Sequence, residues 1–303
     1  MNSYFSSKKT LSLAAFLLIA TFTGEFVGGL LFGSLSLLSD SFHVLGDLMS
    51  IVIALGSLMI AQRKTPTRQM AFGFHRLEVM SALFNGLLLS VISAFIFVEA
   101  WYRFTHPSAI NTTGALIIAL IGLVVNTVVV TLFHKRHAVD KNDVNIESAY
   151  FHIIGDLLAS FAVVSGIVAI KIFNLPIIDP IIAGFVSLLI LFSAGRVLYK
   201  SSAILLHKSP QDIERVRNRV LKIDGVENLM DVRLWQVCSH LTVGTAHVIV
   251  NVNKVEETDT IKQQIKSIMR EEFDIRDITL ECETHDMSNK HQHTFQHEHS
   301  LPD

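Results

Sequence analysis

Six long apolar runs dominate the first two thirds of this chain, at approximately 11–33, 35–61, 77–104, 113–133, 146–171 and 178–201. Each reaches the roughly 20 residues that a helix needs to cross the hydrocarbon core of a bilayer. Inside lipid every backbone N–H and C=O must find its partner within the protein, which restricts such runs to helices. Residues 1–207 are therefore read as a membrane all-α domain of six transmembrane helices. Lys8 and Lys9 precede the first run as in a signal peptide. No convincing small-residue cleavage site follows, and the run continues past Glu25 to Gly33, so it reads as a retained helix.

Lys and Arg in the short loops set the orientation. The 62–76 loop carries Arg63, Lys64, Arg68 and Arg76, and the 134–145 loop carries Lys135, Arg136 and Lys141. The opposite loops carry Arg103 or Lys171 and little else. Both termini are expected in the cytoplasm, with the cell (inner) membrane as the location.

Two of the runs share a phrase, Phe42-His43-Val44-Leu45-Gly46-Asp47-Leu48 and Phe151-His152-Ile153-Ile154-Gly155-Asp156-Leu157. The copies fall on the second and fifth runs, the middle member of each group of three. An odd group size inverts the second triplet relative to the first. This 3+3 inverted-like repeat is a recurring plan of transporters, with the site near the midplane. The rest of each triplet shows little internal similarity, so the phrase alone carries the repeat.

Ionisable groups at such depth are costly and usually functional. His and Asp four apart share one helix face. Inversion places His43 above Asp47 by ~6 Å, and Asp156 above His152, so each level holds one His and one Asp. His43, Asp47, His152 and Asp156 together make a two-imidazole, two-carboxylate set suited to Zn2+. A single pair would fit a hydrogen-bonded packing device as well; two copies favour metal chemistry. These ligands must lose protons to bind metal. Metal–proton antiport by alternating access is the expected function, with Zn2+ and H+ as the partners in exchange.

Other polar groups near the site have more ordinary readings. Asp40 lies on the stripe of His43 and Asp47 and is a candidate to line the pathway. Glu25 either relays protons or hydrogen-bonds within the bundle through Asn85 or Asn126. Gly46 and Gly155 are expected to allow close helix approach. Glu99, His106 and Asp179 sit near segment ends, where charge is unremarkable. Arg76 and Glu78 follow the His75 turn and are expected to pair with cytoplasmic loops or the C-terminal domain. His134 and His137 read as solvated.

From residue 208 the pattern becomes that of a soluble unit. A helix at 211–223, strands at 226–238 and 241–253, a helix at 257–273 and a strand at 276–284 give the order αββαβ. That order suits a small cytoplasmic ferredoxin-like α+β domain over 208–284. Its ~75 residues are few for independent stability, so a homodimer through this domain is expected. Asp231, His247, Glu281, Glu283 and His285 form a possible cytosolic metal site, with solvent-facing strand residues as the alternative. Cys282 points to the opposite sheet face, and with Cys238 as the other cysteine a reduced state is the simpler reading. Residues 285–303 hold five of the 14 histidines, among them His291, His293, His297 and His299. This tail is expected to be disordered and to collect metal loosely. A formal net charge of −2 with no basic face argues against nucleic acid.

Several stretches resemble the cation diffusion facilitator family in its zinc-transporting branch. They are Gly28-Gly29, residues 34–47 (SLSLLSDSFHVLGD), Phe72-Gly73-Phe74-His75-Arg76-Leu77-Glu78, and His152 with Asp156. The resemblance covers residues ~10–284. It implies six membrane helices, a homodimer, a cytoplasmic domain of metallochaperone-like fold, and proton-coupled export of Zn2+, with Cd2+ or Co2+ often tolerated. In that family His-xxx-Asp in the second helix marks zinc-type members, whereas Asp-xxx-Asp goes with manganese or iron. Some bacterial members bind a second ion in the loop after that helix. Thr65-Pro66-Thr67-Arg68-Gln69-Met70 has no such ligands, and no site is expected there. A membrane metalloenzyme is disfavoured, since HExxH is absent and four protein ligands leave no open position. A metal sensor lacks an output module.

Overall fold

The computed structural model describes the backbone of residues 2–63, 70–137, 144–251 and 255–283. Thr65–Gln69 of the loop and His285 with the tail histidines lie outside the described residues, as do the side chains of His134, His137 and His152. The elements in chain order are α1 (Asn2–Phe32), α2 (Leu35–Arg63), α3 (Arg76–Thr105), α4 (Thr112–His137), α5 (Val144–Phe173), α6 (Ile178–Leu205), α7 (Ile213–Val220), β1 (Val226–Cys238), β2 (Leu241–Val250), α8 (Val255–Phe273) and β3 (Ile275–Glu283). They divide into two compact units, Met1–Leu58 with Ser81–Leu198, and Met59–Met80 with Tyr199–Asp303.

The first unit is helical. Among the described residues, four helical stretches are long and apolar enough to cross a membrane: Arg76–Thr105, Thr112–Thr131, Ile154–Phe173 and Ile178–Leu205. Phe16–Phe32 adds a shorter one. α3 turns Phe84, Val91, Phe95, Val98 and Trp101 outward. In water a strip of that kind would drive aggregation; against acyl chains it carries no such penalty. Inside, α2 is shared by two clusters. Leu37 packs with Ala115, Ala119, Val163 and Ile167 of α4 and α5, and Leu35 packs with Ile96, Ala100 and Ala183 of α3 and α6. The helix that carries His43 and Asp47 is thus held on two sides.

The start of α2 is fixed by a residue that the sequence reading takes as an unremarkable segment-end charge. Asp179, buried in the first turn of α6, accepts from the backbone N–H of Leu35 (2.7 Å) and Ser36 (3.1 Å) and from the hydroxyls of Ser34 (2.8 Å) and Ser36 (2.6 Å). Helix N-termini present unpaired N–H groups and a partial positive charge, so a carboxylate there satisfies both. Asp179→Ala strips these buried donors of their acceptor, at about 1–3 kcal/mol for an unsatisfied group. The unfolding midpoint of the detergent-solubilised variant should fall by several degrees; an unchanged midpoint would show that the cap is dispensable.

The two motif glycines differ. A Cβ at Gly46 would lie 2.9 Å from Leu89 Cδ1 of α3, so there the missing side chain permits close packing. Gly155 has nothing within 4 Å of such a Cβ. Among the described residues nothing meets Gly155 in the way Leu89 meets Gly46, so the expected packing role is seen at Gly46 alone.

The second unit follows the αββαβ order. β1 and β2 are antiparallel, β2 and β3 parallel through the α8 crossover, and the sheet order is β1-β2-β3. Val216 and Val220 of α7, and Ile261, Ile265, Met269 and Phe273 of α8, repeat at helical spacing and bury against Leu229, Leu234, Ala246, Val248 and Ile278 of the sheet. Asp212 caps α7 by accepting from the Glu214 N–H (3.0 Å). Both helices contribute to one sheet face, and His247, Glu281 and Glu283 alternate onto the other. Cys282 packs against the core, and both cysteines are free thiols.

Candidate metal centre

Two helices supply the first candidate set. α2 presents His43 and Asp47 one turn apart, and α5 presents Asp156. His43 Nε2 lies 3.0 Å from Asp156 Oδ1. One ligand atom from each of His43, Asp47 and Asp156 falls within 4.8 Å of the others. An ion bound at ~2.0–2.1 Å to nitrogen and oxygen would hold tetrahedral neighbours about 3.3 Å apart. The His43–Asp156 pair is already near that spacing. A cavity of about 270 Å³ adjoins the set, lined by His43, Asp47, Ser50, Asn85 and Ser193 among others. His152 lies in α5, one turn before Asp156, with its side chain outside the described residues.

Asp40 is buried one turn from His43 and accepts from Ser160 Oγ (3.2 Å), which in turn accepts from Asn126 Nδ2 (2.8 Å). A polar chain thus runs from α4 through α5 to α2. Glu25 is also buried, and its carboxylate fills the space that a side chain at Gly122 would need. Its Oε2 has no hydrogen-bond partner among the described residues, and neither does Asn85 Oδ1. The expected link from Glu25 to Asn85 or Asn126 is absent among the described residues: Asn126 serves Ser160, and Asn85 borders the cavity. Glu99 pairs with Arg103 within α3 (2.8 Å), and Arg103 also donates to the Gly33 carbonyl (2.8 Å).

Residues 11–206 match the model of the cation efflux transmembrane domain, and residues 209–285 match that of the cytoplasmic domain of cation efflux proteins. The chain belongs to the cation efflux family. It is 32% identical over 282 residues to the cadmium, cobalt and zinc/H(+)-K(+) antiporter of Bacillus subtilis, covering 92% of this chain and 90% of that protein. It is 35% identical over 293 residues to the zinc transporter ZitB of Pectobacterium atrosepticum, covering 95% and 90%. It is 31% identical over 280 residues to the metal cation efflux system protein CzcD of Cupriavidus metallidurans, covering 92% and 86%.

The cation efflux cytoplasmic-domain match contains a second ligand set. Register pairs His247 with Glu281, and Cys282 points away from them. His247 Nε2 is 3.4 Å from Glu281 Oε2, and its Nδ1 is 3.9 Å from Glu283 Oε1. These three residues place ligand atoms within 4.8 Å of one another. Asp231 is not one of the three; it occupies a bulge in β1 with φ 47°.

A third grouping joins residues that the sequence reading left apart. His75, Cys238 and His240 also place ligand atoms within 4.8 Å of one another. The sequence signal was the Cys238-Ser239-His240 spacing, which puts both ligands at one hairpin tip. Glu78 meets the same hairpin, accepting from Ser239 Oγ and lying 3.7 Å from His240 Nδ1. Arg76 contacts His207 Nε2 (2.7 Å). Burial pushes the Cys238 thiol above its usual pKa.

Proposed function

We propose that this chain is a secondary active antiporter that exports Zn2+ from the cytoplasm in exchange for protons by alternating access, with Cd2+ and Co2+ as further cargo. The convergence of His43, Asp47 and Asp156 in one cluster carries the reading. In the proposal His152 completes the set, Asp40 lines the pathway and Glu25 relays protons. Two carboxylates balance a dication, and their protonated forms balance its absence, so one site serves both substrates. The names of the relatives, which span zinc, cadmium and cobalt, support the cargo class.

The proposal extends to organisation. Residues 1–207 form the membrane part, in lipid, with both termini cytoplasmic in the cell membrane. Residues 208–284 form the cytoplasmic domain, through which two copies associate. His247, Glu281 and Glu283 form a regulatory Zn2+ site, with His285 two residues beyond Glu283 in the sequence, and the histidines of 285–303 gather metal loosely.

Zinc uptake into proteoliposomes with a pH-sensitive dye inside tests the core of this reading. The parent should take up Zn2+ while releasing internal protons, and Asp47→Ala should lower both fluxes at least tenfold. Metal uptake without proton movement would reject the coupling; equal uptake by the variant would reject the site.

A further inference from the structure

Beyond the membrane set, the second unit holds a cluster of a different chemical kind. β1 ends at Cys238, which pairs with Leu241 at the start of β2, leaving Ser239 and His240 as a two-residue hairpin turn. Against this tip lies His75, the last residue before α3. Cys238 Sγ is 3.8 Å from His75 Nδ1, 3.5 Å from His240 Nδ1 and 3.6 Å from His240 Nε2. The two imidazoles meet edge to face, ring centres 5.6 Å apart. Around a tetrahedral Zn2+, with Zn–S ~2.3 Å and Zn–N ~2.0–2.1 Å, a sulfur and a nitrogen ligand stand about 3.6 Å apart. The sulfur–nitrogen separations here, 3.5–3.8 Å, match that spacing.

From this geometry we infer that His75, Cys238 and His240 form a thiolate-containing site for one Zn2+ or similarly soft divalent ion. The Glu78 carboxylate beside His240 supplies negative charge at its rim. Cys238 is buried, so the sulfur is shielded from bulk oxidants while His240, half-exposed, borders solvent. The fourth position falls to water or to Glu78. One thiolate and two imidazoles make this set softer than either His–carboxylate cluster, and it should discriminate more strongly against Mn2+. Occupancy would clamp the turn before α3 to the β1–β2 hairpin, two segments more than 160 residues apart in sequence. The inference stands independently of the transport reading, because it rests on other residues.

Cobalt titration of the purified full-length protein in detergent is the test. A cobalt–thiolate charge-transfer band in the near ultraviolet requires a sulfur ligand, which the other two clusters lack. The band should appear in the parent and in Cys282→Ser, vanish in Cys238→Ser, and be displaced by Zn2+. His75→Ala and His240→Ala should each weaken apparent Co2+ affinity for the band at least tenfold. His240→Ala changes a half-exposed side chain, so it reports even if Cys238→Ser fails to fold. No band in the parent at saturating Co2+, a band lost in Cys282→Ser, or a band untouched by both histidine variants would each overturn the assignment.

Discussion

Asp156→Asn should reduce Zn2+ uptake by about a hundredfold or more while leaving the protein folded. The amide is nearly isosteric, and its oxygen can still accept from His43 Nε2, now 3.0 Å from the carboxylate. What is lost is charge. Two carboxylates neutralise Zn2+; one leaves a net positive complex in a low-dielectric interior, where an uncompensated charge costs several kcal/mol. Each 1.4 kcal/mol is tenfold in affinity, which sets the scale of the loss. Uptake in proteoliposomes, with the unfolding midpoint measured on the same preparation, checks both halves. Uptake within twofold of the parent would remove Asp156 from the ion's coordination.

His43→Asp should turn ion preference from Zn2+ toward Mn2+. Exchanging a borderline nitrogen donor for a hard oxygen favours the harder ion. It also sets two carboxylates face to face where His43 and Asp156 now meet, so the empty site must hold an extra proton or cation. The ratio of Zn2+ to Mn2+ uptake, with both ions offered together, should fall at least tenfold. An unchanged ratio would mean that His43 does not set selectivity.

The six helices were legible because hydrocarbon leaves so few solutions for a long apolar run. The His43–Asp156 contact was legible from the inverted repeat, since antiparallel helices bring a His of one copy level with the Asp of the other. The αββαβ order could be read from period: Ile261, Ile265, Met269 and Phe273 repeat every four residues, while His247 and Glu281 lie between inward-facing neighbours. What escaped the sequence were pairings with no periodic trace. Asp179 looked like an unremarkable charge near a segment end, yet its partners sit 143–145 positions earlier. His75 and Cys238 are likewise joined only by the fold. Gly155 shows the opposite case, where equal motifs suggested equal packing and no neighbour among the described residues supplies it.

The four bonds from Asp179 give α2 and α6 a common hinge pin. In a conformational cycle that preserves them, α2 moves relative to α6 only by pivoting about this end, so in that frame the imidazole and carboxylate it carries would sweep an arc instead of sliding along the helix axis. The lever arm is short, because Asp47 is only three turns from the clasp, and its displacement per degree of tilt is correspondingly small.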